Sequence, residues 1–222
     1  MVKRREFLGP WLVSVLVAAF LAASVFPRIA VADELSNGAR TFVEGMTKDA
    51  ITMLTGKDIT REERAQRFRS LMNKNFSIKG IAKFVLGRHY RKATKTDQTD
   101  YLKLYEDLMV ATYADRFARY SGERFLIKKS EMRGKKDVIV YTTMVKAGNG
   151  AKPLKVDWRV RKKGEIFTII DVMVEGISMI MTQKSEFSSF IKSSGGNFKN
   201  LLAELEKRVD ENKNKNNKSA AK

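Results

Sequence analysis

Leu154-Lys155-Val156-Asp157-Trp158-Arg159-Val160-Arg161 alternates without a break. Leu154, Val156, Trp158 and Val160 fall on one side, with Lys155, Asp157, Arg159 and Arg161 on the other. A period of two predicts a strand with one covered face and one wet face. Downstream, Lys162-Lys163-Gly164 makes a turn into Ile166–Val174, a second strand whose apolar residues occupy both faces. Upstream lie Val138–Val145 and Phe125-Leu126-Ile127, joined through Arg133-Gly134 and followed by Gly148-Asn149-Gly150. Four strands on hairpin connections predict an antiparallel meander covered on one side.

What covers it is helical. Before the strands the apolar spacing is three and four. Phe42, Met46, Ile51, Met53 and Leu54 mark a first helix closing near Gly56. Thr60-Arg61-Glu62-Glu63 is a capping box opening a second, with Ala65, Phe68, Leu71 and Met72 on its buried face. Ser77 is placed to cap a short third helix carrying Ile78, Ile81, Phe84 and Val85, which Gly87 closes. The longest pattern predicts a helix from about Asp97 to Tyr120, with Tyr101, Leu104, Tyr105, Leu108, Met109 and Thr112 as its stripe and Tyr113 and Phe117 continuing it. After the strands, Ile177–Lys192 is helical again and Phe198 begins a last short helix. From Lys207 the chain is rich in Lys, Asn and Glu, with no large apolar residue after Val209, and its composition predicts a disordered tail over 207–222. The fold class is α+β, helices packed on one four-stranded antiparallel sheet.

The 222 residues hold 43 Lys+Arg against 25 Asp+Glu, a net charge of +18, with no cysteine and one histidine. Lack of cysteine excludes disulfides, thiolate metal sites and a cysteine nucleophile. The N-terminus explains part of the charge. Met1–Leu8 is basic, Trp11–Phe26 is almost continuously apolar, and Ala30-Val31-Ala32 precedes Asp33-Glu34. This three-part pattern predicts an export signal over 1–32, cleaved after Ala32. Lys3-Arg4-Arg5-Glu6-Phe7-Leu8 fits the twin-arginine route as well as the general one. Its loss removes four basic and one acidic residue, and the tail holds six basic and two acidic, leaving +11 on the domain over 33–206. A bacterial envelope destination, expected to be the periplasm, takes nucleic acid off the list of partners. Anionic head groups or an acidic protein remain as partners for Lys155, Arg159, Arg161, Lys162 and Lys163, as does a purely solubilising role.

The search for chemistry yields little. His89 in Gly87-Arg88-His89-Tyr90 has no nucleophile or orienting group beside it in sequence. Asp171 and Glu175, four strand positions apart, have backbones about 13 Å apart, too far for an acid–base pair. A turn or sheet-edge hydrogen-bonding role fits them better. Ser178 lacks the closing glycine of a nucleophile elbow, since Ile180 stands there, and reads as a helix cap. No catalytic residue, metal site or cofactor is predicted. Nine methionines remain after Met1, and a helix–sheet interior lined by methionine and aromatics has the adaptability to hold an acyl chain.

Two blocks carry a family resemblance. The first is Asn75-Phe76, then Ile81-Ala82-Lys83-Phe84-Val85-Leu86-Gly87-Arg88-His89-Tyr90-Arg91-Lys92-Ala93-Thr94, then a long helix with Gln98, Tyr101, Leu108 and Tyr113 that ends at Tyr120-Ser121-Gly122. The second is Val156-Asp157-Trp158-Arg159-Val160 with Ile170-Asp171-Val172-Met173-Val174-Glu175-Gly176-Ile177-Ser178-Met179. In this order, over about 35–206, they resemble the MlaC (toluene-tolerance) family of periplasmic lipid-binding proteins. The chain departs from the family at Gly164-Glu165-Ile166-Phe167, where a Trp is frequent. It also has Gln183-Lys184-Ser185-Glu186-Phe187 in place of Tyr-Arg-x-x-Phe.

The resemblance implies an NTF2-like cone with a lipid cavity between helices and sheet, and no enzyme activity. It implies a soluble carrier of phospholipid between an outer-membrane lipoprotein/porin complex and an inner-membrane ABC transporter, maintaining outer-membrane lipid asymmetry. A carrier of another envelope lipid such as a hopanoid, or a non-carrier NTF2-like module, are the competing functions. The residues expected to line the cavity are Phe84, Val85, Tyr105, Leu108, Met109, Tyr113, Phe117, Val140, Val156, Trp158, Val160, Val172 and Val174, with Ile177, Met179 and Ile180 closing one end.

Overall fold

The computed structural model describes residues 26–146 and 152–220. Helix α1 (Phe26–Leu54) is followed by α2 (Arg61–Asn75), α3 (Ile78–Leu86), the short α4 (Arg88–Lys92) and α5 (Lys95–Tyr113). A 3-10 helix (Ala114–Arg119) leads into β1 (Arg124–Arg133), β2 (Asp137–Val145), β3 (Leu154–Lys163), β4 (Ile166–Val174) and β5 (Ile177–Ser178). Helices α6 (Met179–Ser193) and α7 (Phe198–Ala220) complete the α+β fold.

The sheet is the antiparallel meander expected, in order β1-β2-β3-β4-β5. Its fifth strand, two residues long, adds to the four predicted. The Gly148-Asn149-Gly150 turn lies outside the described residues. Val156, Trp158 and Val160 are buried on the inner face, and Trp158 meets Val140 across β2 and Val172 across β4. The outer face of β3 holds Arg159 and Arg161, both of which donate hydrogen bonds to the buried carboxylate of Asp137. Two bulges bend the sheet. One breaks the register of β1 between Ile127 and Lys129; the other inserts Ile170 into β4 opposite Arg159/Val160. The second turns Ile169 to the same side as Val172 and Val174.

Two helical groups cover that face. Ala39, Val43 and Met46 of α1 lie over Val138, Val140, Val156, Trp158, Val160 and Ile169, forming one core cluster. At Gly38 a Cβ would sit 2.7 Å from the Phe167 ring, so glycine sets how closely α1 approaches β4. The other cluster is all helix: Tyr101, Tyr105 and Leu108 of α5 pack with Val85 and Leu86 of α3, Phe187 and Ile191 of α6, and Leu201, Leu205 and Val209 of α7.

The caps are mostly as predicted. Thr60 accepts a hydrogen bond from the Glu63 amide at the start of α2, and Gly87 ends α3 at φ 52°. Ser77 makes no side-chain cap bond, and Thr94, which accepts from the Asp97 amide, opens α5 two residues earlier than expected. The long helix stops at Tyr113, where the backbone tightens to 3-10 geometry instead of continuing to Tyr120.

The segment expected to be a disordered tail from Lys207 is described as helix up to Ala220. Val209 is buried one turn beyond Leu205, prolonging the stripe Leu201–Leu205–Val209. Arg208 binds Glu204 and Glu186, Asn212 donates to the Thr112 hydroxyl, and the Arg61 guanidinium donates to the Lys213 carbonyl. Composition alone misses this because a single valine at the right spacing, plus polar bonds to α5 and α2, is enough to hold a helix on an existing surface.

Candidate functional site

Between the helical layer and the β3–β4 half of the sheet lies a cavity of about 630 Å³. Phe68 and Met72 of α2, Phe76 at its C-terminal cap, and Ile78 and Ile81 of α3 form one wall; Tyr105, Met109 and Tyr113 of α5 form a second. Trp158, Val172 and Val174 supply the sheet wall, and Ile177, Met179 and Ile180 close the end at the β5–α6 junction. The volume is within the range of small-molecule and cofactor pockets, and the lining is predominantly apolar.

The few polar groups are mostly spoken for within the protein. The Tyr105 hydroxyl donates to Gln183 Oε1 at 2.6 Å, and the Gln183 amide lies 3.6 Å from the Met109 sulfur. Burial, reinforced by Tyr113 and Asp171, pushes the Tyr105 phenol well above its ordinary pKa, so it stays a neutral donor. Asp171 is buried and accepts from the Ser178 hydroxyl at 2.6 Å and the Ile180 amide at 3.3 Å. Glu175 accepts from the Lys155 amide at 2.8 Å. Its φ of 49° is the left-handed geometry that, with Gly176, turns the chain sharply from β4 into β5. Asp171 and Glu175 therefore have the hydrogen-bonding roles expected of them, and Ser178 caps α6 by accepting from the Met181 amide. Arg116, from the 3-10 helix, lies over the Tyr113 ring at 4.9 Å and is the cationic side chain of the lining.

Nine of the sixteen expected lining residues are on this surface: Tyr105, Met109, Tyr113, Trp158, Val172, Val174, Ile177, Met179 and Ile180. The other seven are placed elsewhere. Phe84 is 46% exposed and faces outward beneath Lys184, because a helix rotates successive residues by about 100° and its neighbour Val85 takes the inward position. Val85 itself is plain helix–helix core. Leu108 turns toward α7 and α6. Phe117, displaced by the change to 3-10 geometry, packs on Phe68 at 5.9 Å. Val140, Val156 and Val160 are on the correct face of the sheet, but α1 covers them. Phe68, Met72, Ile78 and Ile81 were not expected in the lining, because their apolar stripes read as core, and Phe76 was singled out only in the family resemblance. Arg116 was not expected there either, and Asp171 and Glu175 were singled out only as turn residues and Gln183 only as a family departure.

The five expected cations of the sheet also separate. Arg159 and Arg161 share the single carboxylate of Asp137, and Lys162 pairs with Glu165. His89 is half-buried beside α3, and burial, then Arg88 and Lys92, lower its pKa. Among the described residues there is no grouping of three or more metal-ligating side chains, and no helix is long and apolar enough to cross a membrane.

The structure thus defines a class: an α+β protein whose helices and antiparallel sheet enclose an apolar cavity. Residues 44–207 match the family model of the MlaC protein, and the chain belongs to that family. The intermembrane phospholipid transport system binding protein MlaC of Haemophilus influenzae is 24% identical over 98 residues, covering 43% of this chain. The alignment takes in 46% of that curated relative, a little under half its length. The phospholipid-binding protein of Ralstonia solanacearum, solved in complex with a phospholipid, shares the fold with a TM-score of 0.69 at 22% identity. That match covers 78% of this chain and 98% of the other.

Proposed function

We propose that the protein is a periplasmic lipid carrier, the soluble component of an ABC-type intermembrane transport system that moves phospholipid between outer and inner membranes. The observation that carries the proposal is the cavity of about 630 Å³ between α2, α3, α5 and the β3–β4 sheet. Each methylene kept from water contributes about 0.8 kcal/mol, so an acyl chain needs continuous apolar walls and little else. The cavity offers such walls, with Tyr105, Gln183 and Asp171 satisfying one another or the backbone. The names of the Haemophilus influenzae and Ralstonia solanacearum proteins support phospholipid as the cargo.

Export fits the same proposal. Cleavage of the basic–apolar–small signal after Ala32 leaves Asp33–Leu54 of α1, and the residues of that helix that build the core, Ala39, Val43 and Met46, all follow the cut. The partners in this reading are an inner-membrane ABC lipid transporter and an outer-membrane lipoprotein/porin complex, and the protein works by burial and release without catalysis. Mass spectrometry of an organic extract of the purified protein tests the cargo. Glycerophospholipid in near-stoichiometric amount is expected. Recovery of a hopanoid instead changes the cargo, and a protein that takes up no lipid after reloading ends the carrier reading.

A further inference from the structure

A second concavity, of about 910 Å³, lies between α3, α4 and α6, and it shares no lining residue with the apolar cavity. Its cations are Lys83, Arg88, Arg91, Lys184 and Lys192, and no Asp or Glu lines it. Some cations elsewhere are held by carboxylates: Arg159 and Arg161 share Asp137, Arg69 has Glu106 and Asp107, and Arg208 has Glu186 and Glu204. None of the five groove cations has a carboxylate within ion-pair distance among the described residues. Like charges gathered on one concave surface repel one another and concentrate the positive field in the groove. His89, in the same lining, is held below its ordinary pKa by burial and by Arg88 and Lys92, which agrees with an electropositive site.

The groove also has an apolar foothold. Phe84 is 46% exposed, with the Lys184 ammonium 4.5 Å from its ring centre. An exposed aromatic among unpaired cations has the composition of an interface, where a large apolar side chain supplies contact area and charges supply orientation. We propose that this α3–α4–α6 groove docks an acidic segment of a partner protein, with carboxylates meeting the five cations and an apolar side chain covering Phe84. A protein segment fits better than a bilayer because the surface is concave: a membrane is flat on this scale and reaches only the rim, whereas a protruding chain enters. The inference stands on the groove and does not depend on what the apolar cavity holds.

The test uses the isotopically labelled protein and a synthetic peptide of alternating Glu and Leu, followed by amide chemical shifts and by affinity at low and high salt. Shifts are expected to cluster on α3, α4 and α6. Affinity is expected to fall about tenfold or more in R88E/K184E and steeply with salt. The control K135E/K136E makes the same change in net charge on the exposed β1–β2 turn and is expected to shift affinity by about twofold or less. Phe84→Ala, which leaves the charge intact, is expected to weaken binding as well. Shifts scattered over the whole basic surface, or equal losses in both charge-reversal variants, overturn the proposal. So does binding to phosphatidylglycerol vesicles that R88E/K184E abolishes while the peptide fails to bind. Circular dichroism of each variant separates lost docking from lost folding, and K184Q, which only removes one charge, gives a milder second measurement.

Discussion

Asp171, buried in β4, accepts a 2.6 Å hydrogen bond from the hydroxyl of Ser178, which also caps α6. The same carboxylate accepts from the Ile180 amide, so one side chain ties the last long strand to the first turn of the helix that closes the cavity. Ser178→Ala removes both the cap and the link, and is expected to cost about 1–2 kcal/mol. Asp171→Ala strips two donors of their acceptor inside the protein and is expected to cost about 2–3 kcal/mol. Urea denaturation with unchanged m-values measures both. A Ser178→Ala variant as stable as the parent would show that this junction is held by packing alone.

Filling the cavity separates ligand-holding from ordinary core. Met109 and Val172 face it from opposite walls, α5 and β4. Met109→Trp and Val172→Trp place an indole in space that is otherwise open, so overpacking is smaller than in a closed core, about 1 kcal/mol or less. Co-purifying lipid is expected to fall about fivefold or more by mass spectrometry, with the far-ultraviolet dichroism unchanged. Val85→Leu, in the closed helical core, is the contrast: it is expected to lower stability by about 1–3 kcal/mol while lipid content stays the same. If the tryptophan variants keep full lipid content, the cargo lies elsewhere.

The period of two over Leu154–Val160 placed β3 and its buried face correctly, because one amphipathic strand on a covered sheet writes its environment into every second residue. β4 was harder to orient. Its residues are apolar on both faces, and the bulge at Ile170 reverses their parity partway along, an effect of pairing with β3 that no local pattern records. Choosing among apolar residues failed for a related reason. Val140 and Val160 are on the right face, but whether they line a cavity or meet α1 depends on where a helix more than eighty residues upstream comes to lie. Phe84 and Val85 show the limit at single-residue scale, since both suit a helix interior and only the packing partner decides which turns inward. Gln183, visible as a departure from its family's Tyr, proved to be a polar group in the cavity, satisfied by Tyr105 from a helix that the sequence could not place beside it.

Acid should act on the outer face of the sheet through Asp137. Burial raises this carboxyl, but the hydrogen bonds and charges of Arg161 and Arg159 outweigh burial, and the net pKa lies below the ordinary 3.8. A depressed carboxyl stabilises the fold above its unfolded value and loses that contribution as pH falls through its folded value. Asp137→Asn is therefore expected to be about 1–3 kcal/mol less stable than the parent at neutral pH, with the gap closing as pH drops below 3.8. Chemical denaturation at a series of pH values tests the sign: a gap that widens in acid contradicts the assignment.

The C-terminal segment gives the sharpest contrast between composition and structure. A disordered tail contributes nothing to stability when removed, whereas α7 beyond Glu206 supplies Val209 to the core it shares with α5, and Arg208 to Glu204 and Glu186. Truncation after Glu206 is expected to expose part of the α5 surface and to cost about 2–4 kcal/mol, with Val209→Ala alone accounting for about 1–2 of it. Truncation after Asn214 keeps these contacts, together with Asn212 on Thr112 and the Lys213 carbonyl on Arg61, and is expected to change stability by about 0.5 kcal/mol or less. Comparing the two truncations places the end of the folded unit. Equal stability for both would return Lys207–Lys222 to the status of a charged appendage, and the graded loss expected here makes its first half a part of the helical wall that holds α5 in place behind the cavity.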